Sequence, residues 1–345
     1  MINGKSAQKI VRVAVAVLQY SEQFLLARRG SHQHQGDKFE FVGGKIEPDE
    51  SPKQALVREV FEEIGLSLDE GQLQKMGVLT HDYGDKVVEL HIHLVAMNAV
   101  QYADFAQKST GSEGQSLHWF SYDELLQLGD ELPQANLPIL TWLTLPKNIV
   151  ITRPIADFAN DDEFVRFYTA NLWAGRQACY IRPQSDLAHT AELAKKLMQA
   201  CEQMKIKWIL GEEVCHFEPE LTQNEHFLAI KLSARSLATQ AVDESIIGLN
   251  KPFLVSVHDE MQAQQANLLA NRLLLIGAFV SPVLPTLSHP EVSPLGWQGL
   301  QSLGDMLTMP VIALGGLSWL HENQAWQNGA ITIAGIRNMI IDEPF

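Results

Sequence analysis

The chain has 345 residues, 46% of them hydrophobic, and a formal net charge of -15, so it is long enough for two cores of ordinary domain size. So acidic a composition argues against the clustered Lys and Arg that displace phosphate counterions from polymeric DNA or RNA, while a small phosphorylated ligand held through metal stays allowed. Cys179, Cys201 and Cys215 are widely spaced without a CxxC pair and give neither a disulfide framework nor a zinc site. The run VAVAVL at 13–18 is too brief for a signal or a membrane span. A cytoplasmic protein with no membrane partner is expected.

In chain order, β-rich runs at 10–18, 24–29 and 87–97 surround one helical segment, so the first half reads as α+β. The polar stretch QKSTGSEGQS at 107–116 reads as a surface loop. Past Leu145 the pattern changes to eight short apolar runs, NIVITR, ACYIRP, KWILGE, FLAIKLSA, PFLVSVHD, LLLIGAFVSP, PVIALGG and AITIAGI, separated by amphipathic helical stretches. Such alternation is that of βαβ crossovers on a parallel sheet and predicts a TIM-type (β/α) barrel, with an open doubly wound sheet as the competing architecture. The 195 residues from Ile151 are few for a barrel, so some helices must be short. A short linker near Pro146–Val150 gives domains 1–147 and 148–345.

The stretch GGKIEPDESPKQALVREVFEEIGL, Gly43–Leu66, carries the chemistry. Ser51 can cap a helix, Pro52 suits its first position, Gln54 completes a capping box and Gly65 suits the residue beyond its end. Glu59, Glu62 and Glu63 then project from one face, while Leu56, Val57, Val60 and Ile64 share a neighbouring arc that can anchor the helix. Three like charges on one face repel unless a cation sits among them, and hard oxygen ligands point to magnesium or manganese. A triphosphate could complete the metal's shell, and the glycines of the preceding loop let backbone approach the cluster.

This spacing, from Gly44 through Glu50, Arg58-Glu59, Glu62-Glu63 and Gly65, resembles the Nudix box at every position. The resemblance implies that Glu59, Glu62 and Glu63 bind metal with Gly44 beside them, that Glu50 supports the site and that Arg58 orients the carboxylates. The wider first half looks like the MutT type of that family, whose fold is a mixed sheet between helices and whose substrate is the oxidised purine nucleotide 8-oxo-dGTP. LLARRGSHQHQGDKFEFVGGKIE then places Arg29 and His34 where phosphate contacts are expected, Phe41 where backbone meets the purine, and Lys45 among the substrate-binding residues. SEGQSLHWFS offers Glu113 as a further metal ligand or base, and LPQANLPIL offers Asn136, whose amide supplies both donor and acceptor to a purine edge. Val42 stands where the family usually has proline. An ordinary dNTP or a different nucleoside diphosphate derivative is the rival substrate, because base-contacting loops lie outside the box.

The last third, with MPVIALGGL and NGAITIAGIRNM, resembles the thiamine phosphate synthase and TenI family of barrels. That implies a phosphate site near Gly315, Gly316 and Ile336, where late loops supply backbone N–H groups. The departures weigh against synthase activity. LGEEV at 210–214 replaces an Asn-Asp pair, IKLSAR replaces a His-Leu-Gly-Gln strand, and His289 replaces a lysine near pyrophosphate. Arg182 remains from a pyrimidine-side pattern without its glutamine. His258 matches the acid/base histidine of TenI-type isomerases. The expected barrel is degenerate and non-catalytic and binds a phosphorylated ligand or packs against the first domain, with a bifunctional protein of thiamine metabolism as the alternative.

Overall fold

The computed structural model describes residues 9–30, 36–84, 86–175, 177–184, 186–286, 291–337 and 339–340. His34 and His289 lie outside the described residues. The chain divides into two compact units, Met1–Leu140 and Thr141–Phe345.

The first unit is a mixed seven-stranded sheet. Its strands are β1 (Lys9–Tyr20), β2 (Gln23–Arg28), β3 (Phe39–Glu40), β4 (Val42–Lys45), β5 (Leu73–Asp82), β6 (Lys86–Ala96) and β7 (Leu117–Ser121). β1 is central, running parallel to β6 and antiparallel to β2 and β4. Ala14–Leu18 are buried throughout, as a strand covered on both faces requires.

The helix α1 (Pro52–Ile64) forms where the cap signals place it. Ser51 accepts from the Gln54 N–H, the Gln54 side chain accepts from the Ser51 N–H, and Gly65 ends the helix at φ 74°. Ala55, Leu56, Val60 and Ile64 of α1 pack with Ala14, Ala16 and Leu18, so the arc neighbouring the carboxylates fixes the helix on β1. β3, β4, β5 and β7 lie outside the three β-rich runs read from the sequence. β5, LQKMGVLTHD, has weak β-propensity and becomes a strand through its pairing along β6. β7 is held by antiparallel pairing to β2. Helices α2 (Ala99–Phe105), α3 (Tyr122–Gln127) and α4 (Leu137–Trp142) follow, and the division between the units falls within α4.

The second unit is a closed barrel of eight parallel strands. They are β8 (Asn148–Ile151), β9 (Gln177–Ile181), β10 (Lys207–Gly211), β11 (Phe227–Lys231), β12 (Phe253–Val257), β13 (Leu275–Val280), β14 (Val311–Leu314) and β15 (Thr332–Gly335), one for each apolar run. The helices are α5 (Asp161–Asn171), α6 (Leu187–Ala200), α7 (Glu212–Phe217), α8 (Ala234–Thr239), α9 (Glu244–Ile247), α10 (Glu260–Ala270), α11 (Gly296–Met306) and α12 (Glu322–Gln327). Four of them have six residues or fewer, which is how so short a chain closes the barrel. β15 pairs β8, so the sheet has no open edge and the doubly wound alternative is excluded.

Candidate functional site

Arg58 organises the outer part of the α1 face. Its guanidinium donates to Glu50 at 2.6 Å, to Glu59 at 2.8 Å, to Glu62 at 3.1 Å and to the Lys45 carbonyl at 3.1 Å. One planar cation with five donors thereby ties the glycine loop to three carboxylates. Glu50 also accepts from the Glu47 N–H at 2.8 Å, and the Arg58 hydrogen bonds hold its carboxyl below the usual range. A β-carbon at Gly44 would overlap the Glu59 carboxylate, so the absence of a side chain there lets the loop lie against α1.

Glu63 faces a different space. Its carboxylate accepts from the Gly43 N–H at 3.2 Å, and with Arg28, Arg29, Glu40, Glu113 and Gln115 it lines a cavity of about 190 Å³. Burial pushes the Glu63 carboxyl up to about 8, opposed by the Gly43 N–H and reinforced by the negative charges of Glu40, Glu59 and Glu113. Arg29 pairs with Glu40 at 3.2 Å. Glu113 reaches the cavity because its loop docks on the C-terminal end of α1. There the Ser112 N–H and the Gln115 side chain donate to the Glu63 carbonyl at 2.7 and 2.9 Å, and Lys108 donates to the Ile64 carbonyl. Those are carbonyls that the helix cannot satisfy itself.

The anticipated carboxylates therefore divide into two adjoining groups, with Glu50, Glu59 and Glu62 on Arg58, and Glu63 with Glu113 at the cavity. Among the described residues no group of three or more His, Cys, Asp or Glu side chains stands ready-made around one metal position. The donor set nevertheless fits a divalent cation. It is made of hard oxygens, burial and then its like charges drive Glu63 toward its proton, and the glycine cradle opens onto Glu59. The Lys45 side chain is exposed and Phe41 is 3% exposed. Asn136 is 8% exposed, in the 3-10 turn Gln134–Asn136 beside β5. Val42 is fully buried as the first residue of β4, paired with Ala16. Sequence reasoning passed over Glu40, Gln115 and Lys108. Glu40 had one signal, alternation along FEF; the other two act through docking contacts that no local pattern encodes.

In the barrel, Arg182, His258, Gly315, Gly316 and Ile336 all follow the C-terminal ends of strands, at the mouth where barrels carry their sites. His258 is exposed, and its Nδ1 donates to the Ser281 carbonyl at 2.8 Å. Gly315 and Gly316 have φ of 102° and 68°, and β-carbons there would press on Pro282 and on Pro285 and Leu284, so this turn requires glycine. Gly211 ends β10, and Glu212-Glu213 open α7 in place of the Asn-Asp pair.

A mixed sheet bearing a glycine-entered carboxylate helix, followed by a closed parallel barrel, defines a hydrolase acting on pyrophosphates joined to a TIM-type domain. The chain belongs to the Nudix family through residues 10–143 and to the thiamine monophosphate synthase family through residues 149–339. It is 35% identical over 134 residues to the CTP pyrophosphohydrolase of Escherichia coli (strain K12), covering 38% of this chain and 90% of the relative. It is 32% identical over 136 residues to the 8-oxo-dGTP diphosphatase of the same organism, covering 39% and 97%. A putative thiamine-phosphate synthase 2 of Aquifex aeolicus (strain VF5) is 33% identical over 119 residues, covering 33% of this chain and 62% of the relative. Among the described residues no helix is long and apolar enough to cross a membrane.

Proposed function

We propose that residues 1–147 form a cytoplasmic pyrophosphohydrolase that converts 8-oxo-dGTP to its monophosphate and pyrophosphate, with magnesium as the working ion and manganese as a substitute. The observation that carries this reading is the Arg58 cage adjoining the Glu63 cavity, which sets hard donors and a phosphate-sized space together. Glu59, Glu62, Glu63 and the backbone of Gly44 would hold the ion. When bound, magnesium supplies Lewis acidity toward phosphorus, a lowered pKa for attacking water and charge compensation for the leaving group. Arg58 fixes the carboxylate orientations, and Glu50 anchors Arg58. Glu113 takes the proton of the attacking water, with Glu63 beside it. Arg29, His34 and Lys45 receive the phosphates, and Phe41 and the Asn136 amide receive the purine. This is nucleotide-pool sanitation.

A second substrate reading rests on the 35% identity to the CTP pyrophosphohydrolase, and it keeps the same machinery with cytosine as the base. The experiment is kcat/KM for 8-oxo-dGTP, dGTP and CTP with magnesium. The expected order puts 8-oxo-dGTP far above dGTP. Equal rates on those two refute the preference, and a highest value on CTP transfers the assignment to the second reading. Glu62→Gln is expected to lower kcat by at least about 100-fold, and full activity in that variant would sink the mechanism.

For residues 148–345 we propose a barrel that binds a phosphorylated ligand on the turn Gly315-Gly316 and near Ile336, without thiamine phosphate synthesis. The reading is supported by the glycine geometry of that turn and by Glu212-Glu213 standing in place of the Asn-Asp pair.

A further inference from the structure

Residues directly paired on neighbouring barrel strands share a face, and residues two apart on a strand share it too. Tyr180 pairs with Ile209, and Ile209 with Ala229, which puts Lys231 on the same face. Going round the other way, Lys231 pairs with Leu254, and Ser256 pairs with Phe279. Tyr180 on β9 and Phe279 on β13 lie four strands apart, on opposite sides of the barrel, yet their rings stack at 6.4 Å between centroids. Only the barrel interior allows that contact, so both routes aim Lys231 inward. As the last residue of β11 it stands at the C-terminal mouth.

Among the described residues the Lys231 ammonium makes one hydrogen bond, to the Leu232 carbonyl at 2.7 Å, and no ion pair. An inward amine without a counter-ion is costly as a cation. Burial accordingly brings its pKa down to about 8, although Glu213 and Glu212 favour the charge. The two glutamates differ. Glu212 accepts from Ser236 at 2.6 Å, whereas Glu213 has neither a hydrogen bond nor an ion pair among the described residues and is exposed. Glu213 also acts electrostatically on Tyr180, beneath the mouth.

We propose that the barrel mouth is a second active site in which Lys231 is the nucleophile toward a small aldehyde or ketone, with Glu213 as its proton carrier. Glu213 takes a proton from the ammonium. The freed nitrogen lone pair attacks the carbonyl carbon, the carbonyl π pair moves to oxygen, and a proton from nitrogen passes to that oxygen to give a carbinolamine. Glu213 returns its proton to the hydroxyl, water leaves, and the nitrogen lone pair closes a protonated imine. No oxidant or reductant enters. This assignment is independent of the phosphate reading at Gly315-Gly316.

The test uses the full chain with glyceraldehyde and cyanoborohydride at neutral pH, reading reductive labelling of each lysine by peptide mass spectrometry. Lys231 is expected to label at least about tenfold faster than Lys147, whose side chain is 79% exposed. Labelling at or below the Lys147 rate overturns the proposal. Glu213→Gln is expected to slow labelling of Lys231 at least about threefold without changing Lys147. An unchanged Lys231 rate in that variant removes Glu213 from the site. Lys231→Arg, which keeps the charge, should abolish the modified peptide while circular dichroism stays that of the parent.

Discussion

Arg58 and Gly44 decide what the α1 carboxylates can do. Arg58 offsets charge that would otherwise repel along one helix face, and Gly44 provides the space in which Glu59 lies against the loop. Gly44→Ala adds one carbon to that space and must push the Glu59 carboxylate aside. It is expected to cost about 100-fold in kcat, since a displacement near 1 Å at a reacting centre has that effect. The readout is steady-state hydrolysis of 8-oxo-dGTP beside a thermal melt. A parent-like melt with parent-like kcat would show that Glu59 is not held by this contact.

At the scale of elements, β6 carries a titratable group into the first unit's interior. His93 is 4% exposed, its Nδ1 is without a hydrogen-bond partner among the described residues, and burial lowers its pKa from the ordinary 6.5 to about 4. Above 6.5 the imidazole is neutral in folded and unfolded chains alike, so stability is undiminished there. Between 6.5 and 4 the unfolded chain binds a proton that the folded chain refuses, and stability falls as the pH falls. The loss is roughly 2 kcal/mol at pH 5 and levels off below 4. Urea unfolding at pH 7.5 and pH 5 should therefore show His93→Leu losing less between the two than the parent, and equal losses would contradict the assignment. Elements also differ in how legible they are. α1 was readable to its ends because Ser51, Pro52, Gln54 and Gly65 act within one turn of the helix. β5 and β7 were not, because their partners lie on β6 and β2, distant in sequence.

Over the whole molecule, the charge of -15 sets what the surface attracts. Duplex DNA at about 50 mM salt should keep its electrophoretic mobility with the protein at micromolar concentration, because binding requires several phosphates to be neutralised by clustered cations. A retarded band that vanishes with added salt would reveal a basic patch the composition hides. The two units divide the chemistry. The first concentrates carboxylates around one arginine, and the second encloses Lys231 in a barrel without an ion-pair partner among the described residues.

By itself the amino-acid sequence determined the carboxylate helix, its caps, the eight strands of the barrel and the family of each half, because these depend on residues near one another or on a repeated apolar period. Tertiary structure decided the rest. It separated Glu63 and Glu113 from the Arg58 cage, brought Glu40 to the same cavity and docked the 107–116 loop on the end of α1. It also turned Lys231 inward, a consequence of strand register around a closed barrel. Side-chain direction there depends on every neighbouring pairing at once, and no single stretch of sequence contains that information.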